Sequence, residues 1–135
     1  MAAAFKLTAP IPLESDECAW LLEWAAVTRH QGRRVSDLLV MIPNGAVLAG
    51  DAKHRAMQMA RMKRQGFKDG VFDYFLPVGS CGYPGLWLEM KRSRRGIISS
   101  EQSEFQQLMQ SLGWATSICA GWEAAARAIT RYLQP

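Results

Sequence analysis

The feature that most constrains this chain is the run Leu86-Trp87-Leu88-Glu89-Met90-Lys91, bounded upstream by Val78-Gly79-Ser80-Cys81-Gly82-Tyr83-Pro84-Gly85. A short apolar run after such a turn-rich stretch reads as a buried strand, and the preceding Val71 to Pro77 reads as its hairpin partner. Alternate side chains of a strand share a face, so Glu89 and Lys91 point one way while Leu88 and Met90 point into the opposite layer. Charges set into a sheet cost several kcal/mol unless they are paired or bind a metal. Asp73 lies sixteen residues before Glu89, on the partner strand. An acid, a second acid and a lysine so arranged can hold a divalent cation against a phosphodiester. The same three residues also allow a purely structural ion pair on an edge strand.

At 135 residues and 49% hydrophobic content, the chain fits one globular domain, residues 1 to 135. No apolar run is long enough to span a bilayer, and Met1-Ala2-Ala3-Ala4-Phe5-Lys6 lacks the charged start and long apolar region of a secretory leader. The expectation is a cytoplasmic protein with no membrane partner. Cys18, Cys81 and Cys119 are odd in number, far apart and without a Cys-x-x-Cys pair, which excludes a zinc signature and predicts reduced, buried thiols. His30 and His54, the only histidines, fall in no metal-ligand pattern, which argues against a zinc-dependent nuclease.

The charge is asymmetric. From Lys53 to Arg95 there are ten basic residues against three acids (Asp69, Asp73, Glu89), a balance of +7 where the whole chain carries +4. A solvated basic face accounts for such a count. Its concentration around the two candidate metal-binding acids favours a polyanionic partner, because Lys and Arg clusters bind phosphate backbones by releasing counterions. An anionic membrane fits less well, since the basic residues do not follow one long amphipathic helix.

Periodicity predicts an α-β-α-β-β-α-β-α order. A helix from Asp16 to about Arg29, with Ser15 as N-cap, presents Cys18, Leu21, Leu22 and Ala25 inward. Gln31-Gly32-Arg33-Arg34 ends it, and Leu38 to Ile42 reads as a buried strand. A second helix from about Asp51 to Gln65, with Gly66 as C-cap, has an apolar arc of Ala52, Ala56, Met59 and Ala60. Lys63 falls inside that arc, either covering the core with its stem while the amine snorkels or reaching a phosphate. A third helix from Ser99 or Ser100 sets Phe105, Leu108, Met109 and Leu112 on one face. A strand over Trp114 to Cys119 and a helix over Trp122 to Leu133, with Ala125, Ile129, Tyr132 and Leu133 inward, complete the chain.

Five ordered blocks carry a resemblance that covers most of the sequence: Ile42-Pro43-Asn44-Gly45; Gly66 leading to Gly70-Val71-Phe72-Asp73; Gly85-Leu86-Trp87-Leu88-Glu89-Met90-Lys91; Ser99-Ser100-Glu101-Gln102; and the closing strand and helix to Tyr132-Leu133. Together they resemble the VRR-NUC family, the virus-type replication-repair nucleases of the PD-(D/E)xK superfamily. The chain looks like a stand-alone member from a phage or prophage, acting in a bacterial host cell. The resemblance implies an α/β restriction-endonuclease-like fold, a mixed central sheet flanked by helices. Two positions depart from the family pattern: Phe72 stands where Pro usually precedes the first catalytic acid, and Met41 stands where a His is frequent. Pro at position 72 would only preset the backbone, so Phe72 removes no ligand.

The resemblance further implies a Mg²⁺ ion, with Mn²⁺ able to substitute, bound by Asp73, Glu89 and the carbonyl of Met90, and Lys91 orienting the attacking water. Glu17 matches the helix-one acid that family members bring near the metal, yet an acid in a first turn is also ordinary dipole stabilisation. Gln102 matches a Ser-x-x-Gln element that contacts the lysine or a phosphate, and Ser99-x-x-Gln102 is equally a capping box; both roles are compatible. Arg92, Arg94 and Arg95 follow the catalytic strand and, with Lys63 and Asn44, make the candidate nucleic-acid contacts. Free-standing members resemble Holliday junction resolvases, which implies branched duplex DNA as substrate and a homodimer. The alternatives are a binding module without turnover, or a monomeric flap or end-processing nuclease.

Overall fold

The computed structural model describes residues 10–43, 48–93 and 96–134. Among the described residues eleven elements follow one another: α1 (Glu14–Val27), β1 (Arg29–His30), β2 (Arg33–Arg34), α2 (Val35–Leu38), β3 (Val40–Met41), α3 (Ala52–Arg64), β4 (Tyr74–Leu76), β5 (Leu86–Lys91), α4 (Ser100–Ser111), β6 (Ala115–Ala120) and α5 (Trp122–Leu133). The four longer-range strands form one mixed sheet in the order β3-β4-β5-β6. The first three are antiparallel to their neighbours, with Tyr74 opposite Leu88 and Phe75 opposite Trp87. β6 runs parallel to β5, with Glu89 opposite Ile118 and Lys91 opposite Ala120. A parallel pair needs a crossover, which α4 supplies.

Strand alternation divides the interior in two. On one side Tyr74, Leu76, Leu86, Leu88 and Met90 pack with Leu21 and Ala25 of α1 and Ala125 and Ile129 of α5. On the other, Phe75 stacks on Trp87 at 4.5 Å, Phe105 of α4 meets the edge of Trp87 at 5.1 Å, and Trp114 meets the edge of Phe75 at 5.5 Å. Phe72, in the position where the related pattern has Pro, is fully buried with its ring 5.1 Å from Phe105. It fills the layer between sheet and α4.

Several elements differ from the sequence reading. α1 starts at Glu14 rather than Asp16, with Leu13 and not Ser15 at the N-cap, and its first turn carries three acids, Glu14, Asp16 and Glu17. Those carboxylates stabilise the exposed N–H groups through the helix dipole, so no capping hydroxyl is needed. The Gln31-Gly32 turn does more than end a helix: it joins β1 to β2 in a two-residue hairpin. The expected strand over Leu38 to Ile42 shrinks to Val40–Met41, because Val35 to Leu38 closes a helical turn that buries Val35 and Leu39.

The largest correction concerns α3. Asp51 caps it through the His54 N–H at 2.9 Å, but none of its residues is buried, so the arc of Ala52, Ala56, Met59 and Ala60 does not reach a core. Small alanines repeat at helical spacing without supplying the area that drives packing. In α4, Phe105 and Met109 turn inward as expected while Leu108 and Leu112 stay exposed. Of the cysteines, Cys119 is buried and Cys18 half-buried, but Cys81 is exposed in the β4–β5 turn. No helix among the described residues is long and apolar enough to cross a membrane.

Candidate metal centre

The β4–β5 hairpin brings the two acids together on the α4 side. Asp73 sits just before β4, and its backbone N–H donates to Glu89 Oε2 at 3.1 Å. In return the N–H of Met90 donates to Asp73 Oδ2 at 2.9 Å. Each carboxylate is thus anchored by the backbone of the other strand. Gly70, at φ +83°, lets this loop press on α4, because a Cβ there would overlap the Glu101 backbone.

Lys91 lies two residues beyond Glu89 on the same strand face. Its Nζ is 3.2 Å from Glu89 Oε1 and donates to Gln102 Oε1 at 2.8 Å. Gln102 Nε2 donates to the same Glu89 Oε1 at 2.5 Å. One amide therefore spans the acid and the lysine. Gln102 is also the N3 residue of a capping box, with its N–H on Ser99 Oγ at 3.1 Å and its Oε1 accepting the Ser99 N–H. The capping geometry and the contact with Lys91 occur together: the box orients the side chain that grips the lysine.

The electrostatics are unbalanced. Glu89 is 2% exposed, and burial together with the neighbouring Asp73 charge pushes its carboxyl up to about 7, against the opposing pull of Lys91. Burial also raises Asp73, offset partly by the Met90 N–H and by Lys91. Two carboxylates therefore face one ammonium. Hard oxygen donors with surplus negative charge suit a divalent cation such as Mg²⁺, so the residues present fit that ion.

Glu17 is not the third acid of this centre. It is 4% exposed, and its Oε2 accepts the N–H of Trp122 at 2.6 Å, which caps the first turn of α5. Among the described residues no three His, Cys, Asp or Glu side chains converge to hold a metal. The helix-one acid with electrostatic reach to the site is Glu14, one turn earlier. Burial first and the Asp73 charge second raise its carboxyl, while Lys91 and Arg92 lower it. A helix read from Asp16 leaves Glu14 outside it, whereas the observed start at Glu14 puts both acids in one first turn.

The basic residues separate. Arg92 donates from Nε to the Pro12 carbonyl at 3.1 Å and from Nη2 to the Ile11 carbonyl at 3.0 Å, so it fastens the chain ahead of α1. Lys63 neither covers a core nor snorkels: it is exposed and pairs with Asp69 at 3.4 Å. Met41 is 61% exposed on β3, beside Tyr74. Asn44, Arg94 and Arg95 lie outside the described residues.

No protein-family model matches this sequence, and no curated protein matches it. Among solved structures, a "VRR_NUC domain protein" superposes with a TM-score of 0.79 at 19% identity, covering 93% of this chain and 91% of the other. The chain thus shares its mixed α/β fold with that VRR_NUC domain protein.

Proposed function

We propose that this chain is a VRR-NUC nuclease, a metal-dependent deoxyribonuclease that hydrolyses phosphodiester bonds in duplex DNA, preferentially at branches such as four-way junctions. The observation that carries the reading is the surplus of carboxylate over cation at Asp73, Glu89 and Lys91, set in the +7 middle third of the chain. The fold shared with a VRR_NUC domain protein supports it.

Asp73 and Glu89, with the Met90 carbonyl, would hold Mg²⁺ or Mn²⁺. Bound there, the ion supplies Lewis acidity toward the phosphate and lowers the pKa of a water. Lys91, steadied by Gln102, orients the water and offsets negative charge on the phosphate oxygens. The backbone N–H groups of Asp73 and Met90 keep both carboxylates aligned before substrate arrives. Glu14, whose carboxyl feels the Asp73 charge, adds further negative charge on the α1 side. Lys63, Arg94, Arg95 and Asn44 take phosphate contacts, and Arg92 secures the segment beside the site.

The test is cleavage of labelled four-way junction, fork, flap and linear duplex in Mg²⁺, Mn²⁺ or EDTA. We expect cutting only with a divalent ion and loss of it in Asp73→Ala, whose DNA affinity equals or exceeds the parent's because a negative charge facing phosphates is gone. Turnover in EDTA, or a fully active Glu89→Ala protein, ends the metal-nuclease reading. A junction has two-fold symmetry and needs two cuts, so resolution by a single-site chain calls for a C2 dimer. A particle of one chain's mass by light scattering, cutting junctions no better than duplex, would replace the resolvase reading by a flap or end-processing one.

A further inference from the structure

Between β5 and α4, residues 96 to 99 are tied to Lys91 at both ends. At one end, Gly96 lies so close that a side chain there would overlap the Lys91 Cβ, with Cγ at 3.0 Å and Cδ at 3.2 Å. At the other, the Ser99 N–H donates to Gln102 Oε1 at 3.1 Å, the same oxygen that receives the Lys91 ammonium at 2.8 Å. The two residues in between are Ile97 and Ile98, exposed by 84% and 46%. Neither belongs to the core cluster.

Single exposed aliphatics are common and need no account. A pair of adjacent isoleucines held against a charged site is a different case. They follow directly on the basic stretch that ends at Arg95 and are tied to Lys91 through Gly96 and Ser99, where the partner is polyanionic and solvation favours polar side chains. Isoleucine is stiff at χ1, so a tethered Ile offers an apolar surface of fixed direction.

We propose that Ile97 and Ile98 form an apolar wedge that enters the base stack of bound DNA beside the cut. Consecutive Cα atoms are about 3.8 Å apart, so Ile97 begins one residue from the atom packed on the lysine stem. Nucleotides advance about 3.4 Å along a strand, which places the wedge within a few steps of the phosphate that Lys91 addresses. Apolar side chains inserted between base steps unstack them and kink the duplex. The distortion is cheapest where stacking is already interrupted, so the wedge selects branches and other weak points over continuous duplex. Gly96 has a matching role: without a Cβ it lets the strap sit on Lys91, and so fixes the offset between wedge and cut.

This inference rests on the nuclease reading, and the experiment separates the two. Duplex and four-way junction substrates carrying aminopurine, a fluorescent adenine analogue that brightens on unstacking, at each position around the mapped cut are bound at saturation in Ca²⁺ by the parent, Ile97→Ser with Ile98→Ser, and Ile97→Leu. The parent should brighten one or two positions next to the cut. The double serine variant should lose that signal at equal occupancy and fall in its preference for junction over duplex by about tenfold, the scale of one lost base contact. Ile97→Leu, which keeps an apolar side chain of the same volume beside an intact Ile98, should retain both. Both isoleucines are solvent-exposed, so the serine variant should keep the parent's Tm. Binding and cleavage by the parent without local brightening, or equal brightening by the serine variant, overturns the wedge and leaves the nuclease standing. Absence of both DNA binding and cleavage overturns both.

Discussion

The two faces of β5 are chemically opposite, and at the centre of the strand both are dry. Leu88 and Met90 are fully buried against α1 and α5, and Glu89, between them in sequence, is only 2% exposed. The apolar face is finished by its neighbours, since every side chain there meets another hydrocarbon. The opposite face is packed only at Trp87, in the aromatic layer; at its charged end Glu89 takes one hydrogen bond from the Asp73 N–H and one from Gln102, yet two acids stand against one lysine. Equal burial therefore means different things. One face holds the fold, and the other stores electrostatic potential that a cation and a phosphate can use.

The sharpest test of that division is to empty the charged face. Asp73→Ala, Glu89→Ala and Lys91→Ala should each lower cleavage of a labelled duplex by at least about a hundredfold, the scale for losing one preorganised electrostatic contact. Stability should respond by sign of charge. Removing Asp73 relieves repulsion between neighbouring carboxylates, so its metal-free Tm should match or exceed the parent's, while Lys91→Ala strands both acids and should lower it. A fall in Tm for Asp73→Ala as large as for Lys91→Ala would erase the contrast.

Emptying the other face should do the reverse. Leu88→Ala leaves a cavity among Tyr74, Met90 and the α1 and α5 side chains, at a cost of about 2–5 kcal/mol in denaturant unfolding. Cleavage per folded molecule should stay near the parent's at temperatures where the variant is folded. If activity instead falls as it does for Glu89→Ala, the two faces are not independent.

How much of this was legible depends on what each residue's role requires. The β5 alternation, its hairpin pairing and the Trp122–Leu133 helix were readable and the structure has all three, but the expected strand from Val71 to Pro77 shortens to Tyr74–Leu76 and leaves Asp73 just ahead of it. The Gln102 contact was also readable, because a capping box fixes the side chain that then reaches Lys91. Glu17 and Glu14 were not separable from sequence: both stand in one first turn, and only the position of α5 decides that Glu17 caps it. The failure at α3 has the same origin. An alanine-rich arc has helical period whether or not a second surface comes to meet it, so periodicity predicted the helix and not its burial.

Between the two extremes stands Gln102, which touches the charged face without carrying charge. Gln102→Ala should reduce cleavage by about 10–100-fold, as for partners that orient catalytic groups. It also removes a capping-box contact, so Gln102→Glu serves as control: it retains the box's acceptor and sets a third carboxylate beside Glu89, and should lose activity while α4 stays formed by circular dichroism. Full activity in Gln102→Glu would reduce the residue to a helix cap.

The smallest effect should be the dependence of metal-free stability on pH, and its sign is diagnostic. In the folded protein burial and the Asp73 charge raise Glu89 to about 7, above its ordinary value of 4.5, and Asp73 moves in the same direction. A carboxyl raised on folding binds its proton more tightly in the native state, so its stabilising contribution is complete below pH 4.5 and is lost as pH rises through about 7. In EDTA, Tm should therefore decline from pH 5 to pH 8 as this face charges, and Glu89→Gln should flatten the decline. Mg²⁺ replaces the lost protons, so adding it should raise Tm more at pH 8 than at pH 5. A flat profile in EDTA, or a Mg²⁺ effect equal at both ends, would mean that the charged face is as complete in itself as the apolar one, and the comparison would fail at its starting point.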